Sequence, residues 1–521
     1  MLKYLLNRLL RGLVSVIIVV AIVMILVYSL MDRTLIFSSD PLYSKQMNNA
    51  KITYQYSRWE QYGYVDYVTY ADYLNMLVNN GEITEDIKAN AISIGRTADK
   101  DSKEVSKYVD KFYEYYQSQG YEVTRLDVVT LNKKVATGGQ QQLFAYRDHP
   151  VFKRLGKFLA GIFTIDNIHK AESVDGERGL TFTLHDPLYK GKFAPAIIGN
   201  GTINRYLLYF DDQFPYLHQN FIKVSLGTSY TVNKGVDVIE TMSKTQGGYS
   251  NRMVTYPTGL VELSADDLHT ARYSYGSRTA TVVNEARYID DYTNVNLYKQ
   301  NKSKVGFSFV IGIISTIISY VLGLPLGVIC AKNKDKLIDQ LGTIYVVFII
   351  AVPSLAYIFM FKGIGGLLNL PTTFIMSTEN WKMYILPITS LALPSVAGLM
   401  KWMRRYMIDQ MNSDYVKFAR SGGLTDSEIF SKHISKNALI PIAHGIPGSI
   451  LGSITGALIT ERVYAVPGAG GLFTNAINKY DNGVIIGLTM FFTLLSVVSI
   501  VLGDIVMALV DPRISFEDKA R

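Results

Sequence analysis

One cysteine, Cys330, is all the chain has in 521 residues, so no intrachain disulfide can form. Any exported domain must hold itself together by its core, and roughly 150 residues already bury enough surface for that. No G-x-x-x-x-G-K-[ST] stretch occurs, so the chain cannot cradle ATP in that kind of phosphate loop. Metal-ligand clusters, a nucleophile triad and paired glycosidase carboxylates do not stand out either, so no catalytic residue, metal ligand or cofactor is assigned. The net charge is +8. A basic balance can serve nucleic acid, but this excess flanks apolar runs, where the positive-inside bias of membrane proteins accounts for it better.

What the chain does have is long apolar runs around a polar middle. Its mean hydropathy of +0.14 averages two compositions. Residues 32–300 are polar and tyrosine-rich, and both flanks carry runs of the roughly 20 apolar residues that a spanning helix needs. Gly12–Met31 comes first, behind Lys3, Arg8 and Arg11. A cleaved signal peptide is the alternative, but the run is long and Asp32-Arg33-Thr34 follows in place of a small-x-small site, so an uncleaved anchor is expected. Val305–Cys330, Leu337–Phe361, Lys382–Met400, Ile442–Thr460 and Val484–Val510 complete six expected spans. Pro353 interrupts the third, which membrane helices tolerate.

Basic residues orient these spans. Lys332, Lys334 and Lys336 follow the second, and Lys401, Arg404, Arg405, Lys417, Arg420, Lys432 and Lys436 separate the fourth from the fifth. Charge-rich loops are cytoplasmic. Both termini are then expected inside, and residues 32–300 outside as an inserted domain of the α+β class. Residues 1–31 would be the N-terminus with its anchor, and 301–521 the remaining spans, with a cytoplasmic loop at 401–441. Within the spans ionisable groups are few: Asp504 toward the inner end of the sixth, Glu461-Arg462 at the outer end of the fifth, and His444, read as interfacial. Ion-coupled carriers usually need more than that.

The stretch Asp414–Pro441 reads as two short helices around a turn. Gly422-Gly423 can take the left-handed conformation that ends a helix. Thr425 and Glu428 are spaced as a capping box, with Asp426 at the positive end of the new helix. An ordinary amphipathic loop would show as much. Lys417-Phe418-Ala419 and Gly423, however, occupy the places of E-A-A and G in the signature loop of ATP-binding-cassette importer permeases, which this segment resembles. It departs from that form at Lys417, Phe418 and His433. Asp414, Tyr415, Ala419, Arg420, Gly423, Leu424, His433, Asn437, Ala438 and Pro441 fit the oligopeptide and dipeptide subgroup instead. Glu461, Tyr464, Pro467, Gly468 and Gly470 resemble that subgroup's loop after span five, and Asp504 with Asp511-Pro512-Arg513 its C-terminal end. The chain is most like the first permease of an oligopeptide system with a long external insertion.

That resemblance implies an all-α transmembrane fold of six helices and a subunit coupled to ATPases through the loop just described. It also implies partners: a second homologous permease, two cytoplasmic ATP-binding subunits, a lipid-anchored peptide-binding protein outside, and an oligopeptide substrate in a bacterial cell membrane. Dipeptides or nickel remain alternative cargoes. A membrane-anchored receptor acting through its external domain would need fewer spans. Gly445, Gly448, Gly452 and Gly456 share one face of span five, either as static packing within the subunit or as a moving, pathway-lining interface. In the external domain, Gln213–Ile239 resembles the family's segment before span two, and insertions at about 40–200 and 240–300 would surround it. Leu180–Leu184 and Tyr206–Phe210 read as strands and Lys103–Ser118 as an amphipathic helix. The tyrosines read as packing, and Asp211 and Asp212 as solvated.

Overall fold

A computed structural model describes residues 2–95, 101–165, 177–185, 193–200, 206–210, 217–219, 222–232, 237–243, 250–255, 261–266, 270–272, 294–296, 304–375 and 380–510. Asp211, Asp212 and Asp511-Pro512-Arg513 lie outside them, as do parts of Gln213–Ile239.

Five helices are long and apolar enough to cross a membrane: Tyr4–Leu30, Lys304–Lys332, Trp381–Met411, Asp426–Tyr464 and Asn482–Val510. We call these spans one, two, four, five and six. The expected third span is not one continuous helix. Leu337–Ala351 and Ser354–Leu367 meet at a 109° bend. Val352 is extended, with ψ at 129°, because the following proline ring disfavours helical backbone at the residue before it. Pro353 then starts the second piece. Span four also exceeds its apolar run, continuing past Met400 to Met411. Met403 and Met407 on this extension are fully buried, so packing rather than lipid exposure sustains it.

Spans two and four pack most closely. Ser315, Ser319, Gly323 and Gly327 recur every fourth residue on span two. Ser315 Oγ donates to the Ile388 carbonyl and Ser319 Oγ to that of Ala392, both at 3.2 Å. A Cβ on Gly323 would lie 2.9 Å from Leu399 Cβ, and one on Gly327 2.7 Å from Met403 Cβ. Small residues on one stripe permit such an approach.

The polar domain begins with a three-stranded antiparallel sheet, ordered Val65–Thr69, Gln142–Asp148, Glu122–Leu126. Alternation along the central strand explains its layers. Leu143 and Ala145 pack on one face with helices Tyr70–Asn79 and Lys103–Ser118, around Leu74 and Phe112. Phe144 packs on the other with Trp59 and Tyr67 beside helix Asn48–Gln61. The tyrosines are largely this packing. Burial pushes the Tyr116 phenol up to about 12. A second antiparallel sheet runs in the order Leu217–Gln219, Tyr206–Phe210, Phe193–Asn200, Gly179–His185. The expected Lys103–Ser118 helix and both expected strands are found.

Candidate functional site

Three clusters are built around the residues singled out in the sequence. The first is the segment at the end of span four. Helix Asp414–Ser421 closes with a double hydrogen-bonded stop. Leu424 N–H donates to the Ala419 carbonyl at 3.3 Å, and Gly423 N–H to that of Arg420 at 3.1 Å. Gly423 carries a φ of +85°. This is the Schellman arrangement, which wants glycine where the backbone turns left-handed. Thr425 and Glu428 form a complete capping box: Glu428 N–H donates to Thr425 Oγ1 at 3.3 Å, and Thr425 N–H to Glu428 Oε2 at 3.2 Å. Arg420 reaches across the turn to Asp426 at 2.9 Å.

Beyond Glu428 the structure differs from the expected second short helix. Ile429–Ile434 form a π-helical turn that runs unbroken into Ser435–Gly456. Ser435 Oγ donates to the Phe430 carbonyl five residues back, at 2.8 Å, a reach that suits the wider turn. His433 lies exposed on that turn, and Asn437 and Pro441 on the first turns of the helix after it. Val416, Ile429, Ile434 and Ala438 are buried against Ala331, Met403 and Met407 of spans two and four. Asp414, Lys417, Thr425 and Asp426 face outward with Phe418, whose ring is 81% exposed. Tyr415 is half-buried and bonded to Gln410 at 2.9 Å. The segment is therefore a polar knob with one apolar tip, held on a hydrophobic base formed by three spans.

The second cluster joins the polar domain to span six, and it was missed in the sequence. Asp481, fully buried, lies just before that span. Its carboxylate accepts from Ser229 Oγ at 2.6 Å and from the successive N–H groups of Tyr230, Thr231 and Val232 at 2.9, 2.9 and 2.8 Å. Val484 N–H adds a fifth bond at 3.2 Å. Consecutive N–H groups converging on one anion form a nest, in which backbone dipoles stand in for a counter-cation. Around it, Tyr230 stacks on Tyr62 with centroids 4.3 Å apart, and Asn482 Nδ2 donates to Tyr64 Oη at 2.7 Å. Burial pushes the phenols of Tyr64 and Tyr230 well above their ordinary value, so both remain protonated. A Cβ on Gly483 would collide with the Thr228 carbonyl, and one on Gly487 with that of Leu226. The two glycines thus let this strip of the domain lie directly on span six.

The third cluster is the turn after span five. Glu461 is buried. Its carboxylate accepts from Ser308 Oγ of span two at 2.6 Å and from Gly471 N–H at 3.1 Å. Ser308 Oγ in turn accepts from Ala469 N–H at 2.9 Å. Helix Ala469–Asn478 thus begins on a carboxylate, as its dipole favours. A side chain on Gly468 would strike that carboxylate, and one on Gly470 would lie 2.8 Å from Leu458 Cα, which is why small residues follow Pro467. Glu461→Ala leaves Ser308 Oγ only the Lys304 carbonyl at 3.4 Å and takes the acceptor from the half-buried Gly471 N–H, a loss of about 1–3 kcal/mol. The midpoint of thermal unfolding in detergent is expected to fall by several degrees, and by less in Glu461→Gln, whose amide oxygen still accepts. Unchanged melting in the alanine variant would show the pair to be idle.

Two ion pairs also escaped sequence reading. Arg404 grips Asp339 bidentately at 2.5 and 2.6 Å, tying span four to the broken third span. Asp504 pairs with Arg8 of span one at 3.0 Å. Of the span-five glycines, a Cβ on Gly445 or Gly452 would meet nothing within 4 Å, and one on Gly448 only Ser499 Oγ at 3.3 Å. The surroundings of Gly456 lie outside the described residues. Close packing within the subunit belongs to span two instead.

Comparison with known proteins agrees with the loop motifs. The profile of the family "Binding-protein-dependent transport system inner membrane component" matches residues 323–516. The oligopeptide transport system permease protein AmiC of Streptococcus pneumoniae is 33% identical over 99% of both chains. OppB of Haemophilus influenzae, also named an oligopeptide transport system permease, is 25% identical over 51% of this chain and 94% of its own. Dipeptide permease DppB of Lactococcus lactis is 30% identical over 43% of this chain and 73% of its own. A solved methionine ABC transporter, MetNI, aligns with a TM-score of 0.32 and 13% identity over 40% of this chain and 94% of its own. With its multi-pass helical core, its signature-like loop and a relative matching from end to end, the chain belongs to the binding-protein-dependent permeases of ABC importers, in the branch of the oligopeptide permeases AmiC and OppB.

Proposed function

We propose that this permease forms half of a translocation pathway for oligopeptides. The carrying observation is the match to AmiC, named an oligopeptide permease, over 99% of both chains, the polar domain included. ATP hydrolysis belongs to two cytoplasmic partner subunits, one seated on the Asp414–Glu428 knob. A second, homologous permease completes the pathway, and a lipid-anchored binding protein delivers peptide to residues 32–300 outside. Both termini are cytoplasmic, as the distribution of Lys and Arg supports. The test is uptake by vesicles holding the whole complex, with peptides of graded length. ATP-dependent uptake of dipeptides alone, or of no peptide, would overturn the substrate assignment. Cross-linking of the complex tests delivery, and no link between the binding protein and residues 32–300 would withdraw it.

The glycine face of span five belongs, in this reading, to the interface with the second permease. Open space beside Gly445 supports this. Cysteines at Gly445 and Gly448 in a Cys330→Ser background are expected to cross-link to the partner, with a yield that changes when nucleotide is added. A yield indifferent to nucleotide would make the face static packing.

A further inference from the structure

Helix Val151–Gly161 sits where the polar domain meets the spans. Its inner face carries Arg154, Leu155 and Phe158. The Arg154 guanidinium lies 3.4 Å from the ring centre of Tyr28, in the last turn of span one, and 3.7 Å from that of Tyr64. Leu155 and Phe158 pack with Met24 of span one and Val484 of span six. These contacts hold the helix level with the domain-side ends of two membrane-spanning helices.

The remaining faces follow from helical periodicity. Lys153 and Lys157 project from one flank. Lys153 Nζ stands 3.7 Å from Asp66 of the three-stranded sheet, so this flank turns toward the domain. Leu159 packs with Leu155 and Phe158 on the same apolar cluster, whereas Phe152 lies on the flank away from Lys157, and Phe163 begins the strand Phe163–Ile165 that follows the helix. Phe152 is 75% exposed and Phe163 69%.

We propose that Val151–Gly161 is an interfacial helix, with Phe152 and Phe163 seated in the headgroup region of the domain-side leaflet. The occupant of this apolar flank is the bilayer that already surrounds span one. Aromatic rings suit that depth, where an apolar ring meets the boundary between headgroups and acyl chains. The contact fixes the height and tilt of the domain over the membrane, beyond what the Asp481 nest alone imposes. It needs neither a peptide substrate nor an ATPase, so it stands apart from the transport reading.

The test uses the full chain, with Cys330→Ser, in vesicles of phosphatidylglycerol and phosphatidylcholine. A fluorophore is attached at Phe152→Cys or Phe163→Cys, at Ile18→Cys as a lipid-facing control, or at Gln117→Cys as an aqueous one. Lipids carrying a shallow nitroxide are expected to quench the labels at 152 and 163 more strongly than the mid-span label at 18, while iodide quenches the label at 117 most. Iodide quenching at both 152 and 163 equal to that at 117 would overturn the proposal. Iodide quenching relieved only on adding the soluble binding protein would overturn it too, and assign the flank to that protein. Both phenylalanines are exposed, so neither substitution disturbs the core.

Discussion

Replacing Asp481 with alanine is expected to separate the polar domain from span six and to reduce peptide uptake at least tenfold. Five donors converge on this carboxylate, and four of them are backbone N–H groups. The carboxylate is fully buried, so alanine leaves the four backbone N–H groups facing a cavity. At about 1–3 kcal/mol for each stranded donor, tolerating the gap would cost at least ~5 kcal/mol. Opening the Ser229–Val232 strip would let water satisfy these donors, and that is the response expected of the variant. Protease added on the domain side should then cut within that strip in vesicles, where the parent protein resists. Asp481→Asn is expected to be intermediate. Oδ2 accepts from Ser229, Thr231 and Val232, and Oδ1 from Tyr230 and Val484. Either orientation of an amide therefore sets an NH₂ group against at least two donors. An alanine variant that resists protease and transports as the parent does would show that the nest holds nothing.

Gly423→Val is expected to leave the protein inserted and assembled, but to lower uptake at least tenfold while partner ATPases still hydrolyse ATP. A Cβ at this position would meet nothing, so no clash prevents folding. The cost lies in the backbone. Left-handed geometry at a φ of +85° costs an L-residue about 1–2 kcal/mol. A β-branched side chain is stiffer still. The turn can escape by flipping Gly423, which breaks the two bonds to Ala419 and Arg420 and displaces Phe418, Arg420 and Asp426 from the surface offered to the ATPase. Asparagine tolerates left-handed backbone, so Gly423→Asn should retain most uptake. Normal transport by the valine variant would remove this turn from the coupling path. Equal loss in the asparagine variant would mean that the missing side chain, not the conformation, matters there.

The turn at Gly423 was legible in the sequence because its physics is local. A glycine stop and a capping box act over six residues or fewer, and the letters at Ala419, Gly423, Thr425 and Glu428 state both. The Lys103–Ser118 helix was legible for the same reason, through its apolar stripe. Span five misled on this scale: the helix after the Gly422-Gly423 turn was expected to be short and separate from a span beginning at Ile442, but burial of Ile429 and Ile434 carries it on through a π-turn. Pro353 was legible as an interruption. The 109° bend was not, because neighbouring helices decide how far a freed segment turns.

Long apolar runs and the placement of lysine and arginine settled from sequence alone that the chain enters a membrane many times, because transfer of roughly 20 apolar residues into lipid depends on composition rather than on partners. Local hydrogen bonding settled the shape of the turn at Gly423. Only the tertiary structure decided which buried charges matter. Asp481 and Tyr230 are 251 residues apart, Asn482 and Tyr64 418, and Arg404 and Asp339 65. No pattern of neighbours marks any of the three, because a buried carboxylate is held by whichever donors the fold brings to it.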